Sequence, residues 1–371
     1  MRNIFITGGT GFLGSMLIRE ILASSDDAVY ALIRDKSKEE ATDRLVSNLE
    51  ATMFPKKLTK KQLDRITIVK GDITKKDFGL ETEAIVMLAK HIDVIFNSAA
   101  LTSLTSPLEM ARKVNLEGTR NVLDFAMFCM KNGKLTKVNH ISTAYIAGKI
   151  KSCCFREINL SLGQEFNNAY EQSKFEAEQL VVEYRKKGLD INIYRPSIIL
   201  GSYEDGRTTN FKMFYQPLHY FSLELFTSIP AANNSRANLI NVDVAAEAIY
   251  LISNLSREKN ANYNIVSPKT PELEFVLDIA SDYFGYKMPR LIPLQDFDLE
   301  KAYTPVQRNL IEPFIPYFNY YVDFDMGNAM SILMSQNFVF PEFDETNFLK
   351  LYEFCDMCGF IKRKKRNVAV K

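Results

Sequence analysis

The chain has 371 residues, enough for one large domain or two modest ones, and 46% hydrophobic with 25% charged residues is an ordinary globular balance. A net charge of +1 excludes a nucleic-acid binder driven by bulk charge, and no apolar run reaches the length of a membrane span. Five cysteines without a spaced framework fit a reducing, cytoplasmic setting, and the N-terminal apolar stretch, cut by glycines and carrying Arg19 and Glu20, does not read as a signal peptide.

The first element, Asn3-Ile4-Phe5-Ile6, is apolar and β-prone, and from Phe12 the apolar residues recur at helical spacing. Between them lies Thr7-Gly8-Gly9-Thr10-Gly11-Phe12-Leu13-Gly14, so the glycines sit on a strand-to-helix turn. Such a turn cradles a pyrophosphate: Gly8 permits the tight bend, Gly11 lets backbone N–H groups come close, and Gly14 lets the helix pack on the sheet. The expected contacts are Gly8, Thr10, Gly11, Phe12, Leu13 and Gly14. A plain βα turn is the alternative, since the spacing is Gly-x-x-Gly-x-x-Gly.

A second strand, Ala28-Val29-Tyr30-Ala31-Leu32-Ile33, ends at Arg34, the distance past the glycine turn at which the adenosine ribose is met. A guanidinium there suits the 2′-phosphate of NADP(H), whereas a one-residue slip would bring Asp35 to an unphosphorylated ribose. The long connection 37–65 holds a helix over 39–49 and a basic stretch, Pro55-Lys56-Lys57 with Lys60-Lys61, which is a solvated face or a handle for an acidic carrier. The third strand, Ile66-Thr67-Ile68-Val69-Lys70, leads to Asp72-Ile73. The fourth, Ile92-Asp93-Val94-Ile95-Phe96, leads to Asn97-Ser98-Ala99-Ala100, whose small residues let backbone run close under a nucleotide. Asn115, on the next helix, either ties backbone together or touches ligand. The fifth strand, Lys137-Val138-Asn139-His140-Ile141, ends in Ser142-Thr143. A helix opening at Ala169 runs to Lys187, with Gly188 as its C-cap, and the sixth strand, Ile191-Asn192-Ile193-Tyr194, ends in Arg195-Pro196-Ser197. Tyr170 and Lys174, four apart, share one helical face.

Six strand–helix alternations imply an α/β fold with a doubly wound parallel sheet of Rossmann type. Leu239-Ile240-Asn241 precedes a helix with Asp243 near its N-cap, residues 262–266 form another strand, and both return to the sheet. The aromatic-rich stretches 211–226 and 313–324 make a smaller, mostly helical substrate-binding part. The division expected is 1–200 with 237–268 for the dinucleotide, and 201–236 with 269–371 for the substrate.

Gly8-x-x-Gly11-x-x-Gly14, Asp72, Asn97-Ser98-Ala99-Ala100, Thr143 and Tyr170-x-x-x-Lys174 together resemble an extended short-chain dehydrogenase/reductase over residues 1–270. Within that group the wording is similar to thioester reductases and fatty acyl reductases, notably in Val114-Asn115-Leu116-Glu117-Gly118-Thr119, Tyr170-Glu171-Gln172-Ser173-Lys174-Phe175-Glu176-Ala177-Glu178 and Tyr194-Arg195-Pro196-Ser197. The resemblance implies NADPH-dependent reduction of an acyl thioester, on coenzyme A or on an acyl or peptidyl carrier protein, to an aldehyde or alcohol. It implies Thr143, Tyr170 and Lys174 as catalytic residues, with Thr143 bonding the substrate oxygen and Ser142 as its close alternative. It adds Arg34, Asp72, Ile73, Ala99, Ala100, Asn115, Lys174, Pro196 and Ser197 to the cofactor contacts. With no adenylation or carrier region in view, a free-standing reductase is expected.

Carbonyl reduction needs a proton donor, and a tyrosine near pH 10 is a reluctant one; Lys174 nearby is expected to stabilise the phenolate and draw the tyrosine down. Other readings on the same scaffold are a nucleotide-sugar epimerase or dehydratase, a ketone reductase, and a dinucleotide sensor without catalysis. Arg34 speaks against the epimerase, and the proton donor against the sensor. Phe211, Phe214, Tyr215 and Phe221 either line an apolar substrate cleft or are core. Cys355-Asp356-Met357-Cys358 lacks a second pair and reads as two thiols, so no metal site is expected. His91, His140 and His219 have no metal spacing, and His140 is expected to be a satisfied core residue. Lys362-Arg363-Lys364-Lys365-Arg366 reads as a solvated tail or a carrier-docking segment.

Overall fold

The computed structural model describes residues 1–34, 37–52, 58–150, 154–232 and 234–364. They form two compact units, each built from three stretches of chain: Met1–Ser197, Val244–Val266 and Val322–Val339 in the first, Ile198–Asp243, Ser267–Tyr321 and Phe340–Lys371 in the second.

The first unit is a seven-stranded, all-parallel sheet. Its strands are β1 (Asn3–Thr7), β2 (Ala28–Ile33), β3 (Ile66–Lys70), β4 (Val94–Asn97), β5 (Lys137–Ile141), β7 (Ile191–Pro196) and β11 (Asn262–Ile265), in the order β11-β7-β5-β4-β1-β2-β3. Chain order reverses beside β1, whose neighbours are β2 and β4, so a ligand crevice opens at the carboxyl ends of β1 and β4. The helices are α1 (Phe12–Ser24), α2 (Lys38–Thr52), α3 (Lys60–Leu63), α4 (Thr82–His91), α5 (Leu108–Arg112), α6 (Gly118–Asn132), α7 (Ala169–Lys186) and most of α9 (Val242–Leu255). Helices α4, α6 and α7 cover one face around Phe5, Val122, Val138, Val181 and Ile191. There Phe5, Phe78 and Phe125 meet with ring centroids 5.1–5.6 Å apart, and each such buried ring contributes about 1.5–3 kcal/mol. Helix α1 packs on the other face, against Ile6 and Ala31 through Ile18.

Strand β4 begins two residues later than its apolar run predicts. Ile92 caps α4, donating its N–H to the Leu88 carbonyl, and Asp93 turns the chain by pairing with the backbone of Asn3. Helix α7 follows its signals: the Asn168 side chain accepts the Glu171 N–H at 3.1 Å, Arg185 and Lys186 occupy the last turn, and Gly188 follows at φ +102°. A two-residue strand, β6 (Cys154–Phe155), pairs with β13 (Asp323–Phe324), which leads into α14 (Gly327–Leu333). Residues 322–324, expected in the helical part, therefore belong to the first unit. Buried Glu157 holds them there: its carboxylate accepts N–H bonds from Asn264 at 3.1 Å, Asn328 at 2.6 Å and Ala329 at 3.1 Å.

The second unit contains α8 (Tyr215–Ser222), α10 (Leu273–Phe284), α11 (Leu299–Ala302), α12 (Pro305–Ile311), α13 (Ile315–Phe318) and α15 (Glu345–Met357). Two strand pairs join them: β8 (Ile198–Leu200) with β10 (Leu239–Asn241), and β9 (Ser228–Pro230) with β12 (Arg290–Ile292). The expectation that 239–241 returns to the large sheet is wrong. Ser197 N–H still bonds Ile265 O, but Ile198 N–H bonds Asn238 O, so the ladder changes partner there and β10 pairs with β8. Asp243 lies in the first turn of α9, as expected, and its carboxylate takes the Ser202 hydroxyl and the N–H groups of Tyr203 and Glu204.

In the aromatic stretch 211–226 some rings are core and others half-buried. Tyr215 and Phe221 are buried, Phe211 stacks on Phe360 at 4.5 Å, and Phe214 stacks on Phe348 and Tyr352. Cys355 is buried and Cys358 exposed on α15, and among the described residues no group of side chains could hold a metal ion. Where it is described, the basic segment is exposed, as a solvated stretch would be, and makes surface contacts. Arg363 lies over the Tyr283 ring, and Lys364 bonds Phe284 O and the Glu224 carboxylate. Lys365 and Arg366 lie outside the described residues, as do Asp35, Lys36, Pro55, Lys56 and Lys57. No helix among the described residues is long and apolar enough to cross a membrane.

Candidate active site

The ends of β1, β2, β4, β5 and β7, with helix α7, assemble the site within the first unit. At β1, Gly8 turns at φ +71°, and a β-carbon there would stand 2.6 Å from Ala99 N. A β-carbon on Gly14 would stand 2.1 Å from the Gly8 carbonyl oxygen, which also accepts the Gly11 N–H at 2.8 Å. No side chain caps the start of α1 and no acid lies in its first turn, so Phe12, Leu13 and Gly14 begin a helix whose positive end has no carboxylate of its own. Thr10 is held from behind, its carbonyl accepting from Asn48 of α2 at 3.1 Å. A cradle that only glycine backbone can form, at an uncapped helix start, fits a dinucleotide pyrophosphate.

At the end of β2, Arg34 is largely exposed, with its guanidinium 4.0 Å from Asp72. Partial burial pushes the Asp72 carboxyl up, but the N–H and hydroxyl of Thr74 and the charges of Arg34 and Lys75 outweigh it and hold the group below its usual range. Arg44, from α2, donates to the Arg34 carbonyl at 2.9 Å and so brings a second guanidinium to this corner. The sequence pattern did not single out Arg44 or Asn48; a ten-residue offset into a helix of unknown facing carries no signal. The Ile73 carbonyl accepts from Asn121 at 2.8 Å.

At β4, Ala99 N–H bonds the Thr7 hydroxyl at 3.2 Å, drawing the ends of β1 and β4 together, and Ala100 follows exposed. Asn97 accepts from Thr7 and donates toward Thr119 and His140 Nδ1. His140 is fully buried and only half satisfied: Nε2 has no partner among the described residues, and burial with the charges of Lys174 and Arg185 keeps the ring well below its usual range. Asn115, on a π-helical turn (Lys113–Glu117) between α5 and α6, spends its amide on the protein. It bonds both backbone groups of Leu101 and the Ser173 hydroxyl, so the structure draws the backbone tie rather than an exposed ligand contact.

At β5, Thr143 N-caps a short helical turn, Ala144–Ala147, accepting the Tyr145 N–H at 3.3 Å and donating to Pro196 O at 3.4 Å. Its hydroxyl is also a hydrogen-bonding neighbour that acts on the Tyr170 phenol. Tyr170 is not drawn down as the spacing suggested: burial pushes it up to about 12, and the Thr143 hydrogen bond works the other way. Lys174, one turn on, is buried and donates Nζ to Ile141 O at 2.7 Å. Burial lowers it to about 8, while Glu178 works to raise it. Ser142 and Ser197 bring two buried hydroxyls without partners among the described residues to the ends of β5 and β7. The structure thus groups Thr143, Tyr170, Lys174, Pro196 and Ser197, and beside the β1–β4 crevice it groups the glycines with Ala99, Arg34 and Asp72. A hydroxyl, a phenol and a buried ammonium together can polarise a carbonyl and deliver a proton.

The family model described as Male sterility protein, an NAD-binding model, matches residues 6–249. A linear gramicidin synthase of Brevibacillus parabrevis is 26% identical over 291 residues, 77% of this chain and 6% of that protein. Fatty acyl-CoA reductase 1 of Xenopus laevis is 28% identical over 294 residues, 70% of this chain and 56% of that protein. Among solved structures, the terminal R domain from the myxalamid PKS-NRPS biosynthetic pathway superposes with a TM-score of 0.84 at 25% identity, covering 98% of this chain and 93% of that one. The chain spans less than two thirds of the length of the curated relatives it matches.

Proposed function

The chain belongs to the NAD-binding family described as Male sterility protein, and from that premise we propose that it is an NADPH-dependent reductase of acyl thioesters. The observation that carries this reading is buried Lys174, which donates to Ile141 O at the end of β5 at 2.7 Å, one helical turn from Tyr170 and beside Thr143 at the same strand end. Similarity to a terminal R domain and to a fatty acyl-CoA reductase supports a thioester as substrate, on coenzyme A or on a carrier protein. Arg34, with Arg44 beside it, supports NADP(H) over NAD(H), since two guanidinium groups suit a 2′-phosphate. In this reading the first unit holds the dinucleotide and the second takes part of the acyl group, in a cytoplasmic enzyme.

The bound dinucleotide supplies the hydride. The turn from Gly8 to Gly14 holds its pyrophosphate and Lys174 its nicotinamide ribose. Thr143 hydrogen-bonds the thioester oxygen, and Tyr170 passes its phenolic proton to that oxygen. At neutral pH Lys174 is an ammonium, which stabilises the phenolate left behind. The hemithioacetal then collapses to aldehyde and thiol, and a second reduction gives the alcohol.

The test is NADPH absorbance with panels of acyl-CoA, acyl-carrier, ketone and sugar-nucleotide substrates, with products identified by mass spectrometry. Oxidation with thioesters is expected. Activity confined to ketones or sugar nucleotides overturns the reading and leaves the fold and family.

A further inference from the structure

One carboxylate stands among two buried cations, Lys174 and Arg195, and a half-buried one, Arg185, behind the proposed site. Glu178 lies four residues beyond Lys174, on the same face of α7, and both its side chain and that of Arg195 are 0% exposed. Arg195, on β7, grips it through Nε at 3.1 and 3.3 Å and through Nη2 at 2.7 Å. The rest of the guanidinium is fixed by the carbonyls of Glu157 at 3.1 Å and Asn159 at 2.8 Å. Arg185, about two turns further along α7, feels the same carboxylate while bonding the carbonyls of Ile191 and Ala261 and the side chain of Asn262. From β5, His140 faces Lys174 and Arg185 as a neutral ring and offers no countercharge. On α7 itself the other titratable neighbours are Tyr170 and buried Glu171, whose carboxylate accepts from the backbone and side chain of Asn167 and acts on Tyr170. Beyond Arg195 stand Glu157 and Asp325, the latter lying against Asn264 of β11 through its backbone.

We propose that Glu178 is a positioning residue for the reduction: clamped by Arg195, it keeps Lys174 an ammonium beneath Tyr170. The proposal rests on the assignment of Tyr170 and Lys174 made above. Its ground is geometric and electrostatic. Lys174 has left water, and an ammonium in a dry interior reverts to the neutral amine unless a fixed negative charge opposes that. Glu178 is the carboxylate that acts on it, and burial of Lys174 is the force it works against. The Arg195 fork fixes where that charge sits, since a bidentate pair orients both planes. A freely rotating glutamate would not hold a constant field at Lys174.

The experiment is the pH dependence of kcat and KM for Glu178→Gln and Glu178→Asp on the thioester and NADPH. In Glu178→Gln the alkaline limb of kcat moves to lower pH by about one unit or more, while KM for the thioester stays near wild type. Glu178→Asp, which keeps the charge, restores most of the shift. A loss of kcat uniform in pH, with the limb unmoved, overturns the proposal. The double variant Glu178→Gln/Arg195→Met removes both charges together, a change that buried ion pairs often tolerate, and its limb moves in the same direction if the proposal holds. Lys174→Met separates the two layers. Wild-type turnover in that variant overturns the assignment of the site, whereas an inactive Lys174→Met beside an unmoved limb in Glu178→Gln overturns the role of Glu178 alone.

Discussion

The carbonyl oxygen of Gly8 stands 2.1 Å from the place a β-carbon on Gly14 would occupy. The turn is thus closed by two glycines six residues apart, and the opposing atom is backbone, which has little room to yield. Gly14→Ala is expected to cost about 1–3 kcal/mol of stability through overpacking and to weaken NADPH binding more than tenfold. Urea unfolding and cofactor titration check it; wild-type values for both would show that the helix start tolerates displacement.

Arg34 reaches into solvent with only a 4.0 Å approach to Asp72. Losing one charge-assisted phosphate contact costs about 1.5–3 kcal/mol, so Arg34→Ala is expected to bind NADPH about ten- to hundredfold more weakly and NADH nearly unchanged. Arg44→Ala is expected to move the same way by less. Calorimetric titration of both cofactors decides, and equal wild-type affinities for NADPH and NADH would refute the assignment.

Tyr170→Phe keeps the ring and removes only the phenolic proton and its bond to Thr143. Turnover should fall by about 10²–10⁴-fold with NADPH affinity within a few-fold of wild type. Single-turnover reduction of a thioester is the measurement, and substantial residual activity would place the acid elsewhere.

Lys174 gives the pH dependence. Its burial-lowered value of about 8 means that the ammonium is present below that pH and lost as pH rises through it. The kcat profile is therefore expected to fall on the alkaline side near pH 8 rather than near the ordinary lysine value of about 10.4. A profile flat to pH 10 contradicts it.

Glu157→Ala strands three backbone N–H groups, those of Asn264, Asn328 and Ala329. Unsatisfied buried donors cost about 1–3 kcal/mol each, offset where water enters, so a loss of about 3 kcal/mol or more is expected by chemical denaturation. A loss under about 1 kcal/mol would mean the carboxylate merely fills space.

Strands β2, β3 and β5 were legible to the residue because each is a short β-branched run ending at a polar or glycine-rich turn. That Tyr170 and Lys174 share one helix and that Thr143 follows a strand end was legible from spacing, whereas their catalytic roles came from the resemblance. What was not legible depends on distant partners. Glu157 looked like any loop acid, since its partners lie 107 to 172 residues away. The change of ladder at Ser197 likewise depends on residues near 238 and 265. For Tyr170 the spacing shows a cation nearby but not how dry the surroundings are, and burial reversed the expected direction. Within 211–226, Tyr215, Leu218, Phe221 and Phe226 are buried while Leu223 and Leu225 are exposed, a division that composition alone does not reveal.

The segment Val322–Val339, threaded back to the large sheet after a long excursion, bears on how the protein comes apart. Polypeptide passes between the two units at five junctions, so neither is a bead that a single protease cut would release intact. A fragment ending at Val266 would carry Glu157 with two of its three donors gone and the edge of Phe155 bare. Such a fragment is expected to be poorly soluble alone and to regain native order when the severed 267–371 peptide is supplied in trans. During ribosomal synthesis the sheet unit therefore waits, after its seventh strand has been made, for residues 322–339 to emerge.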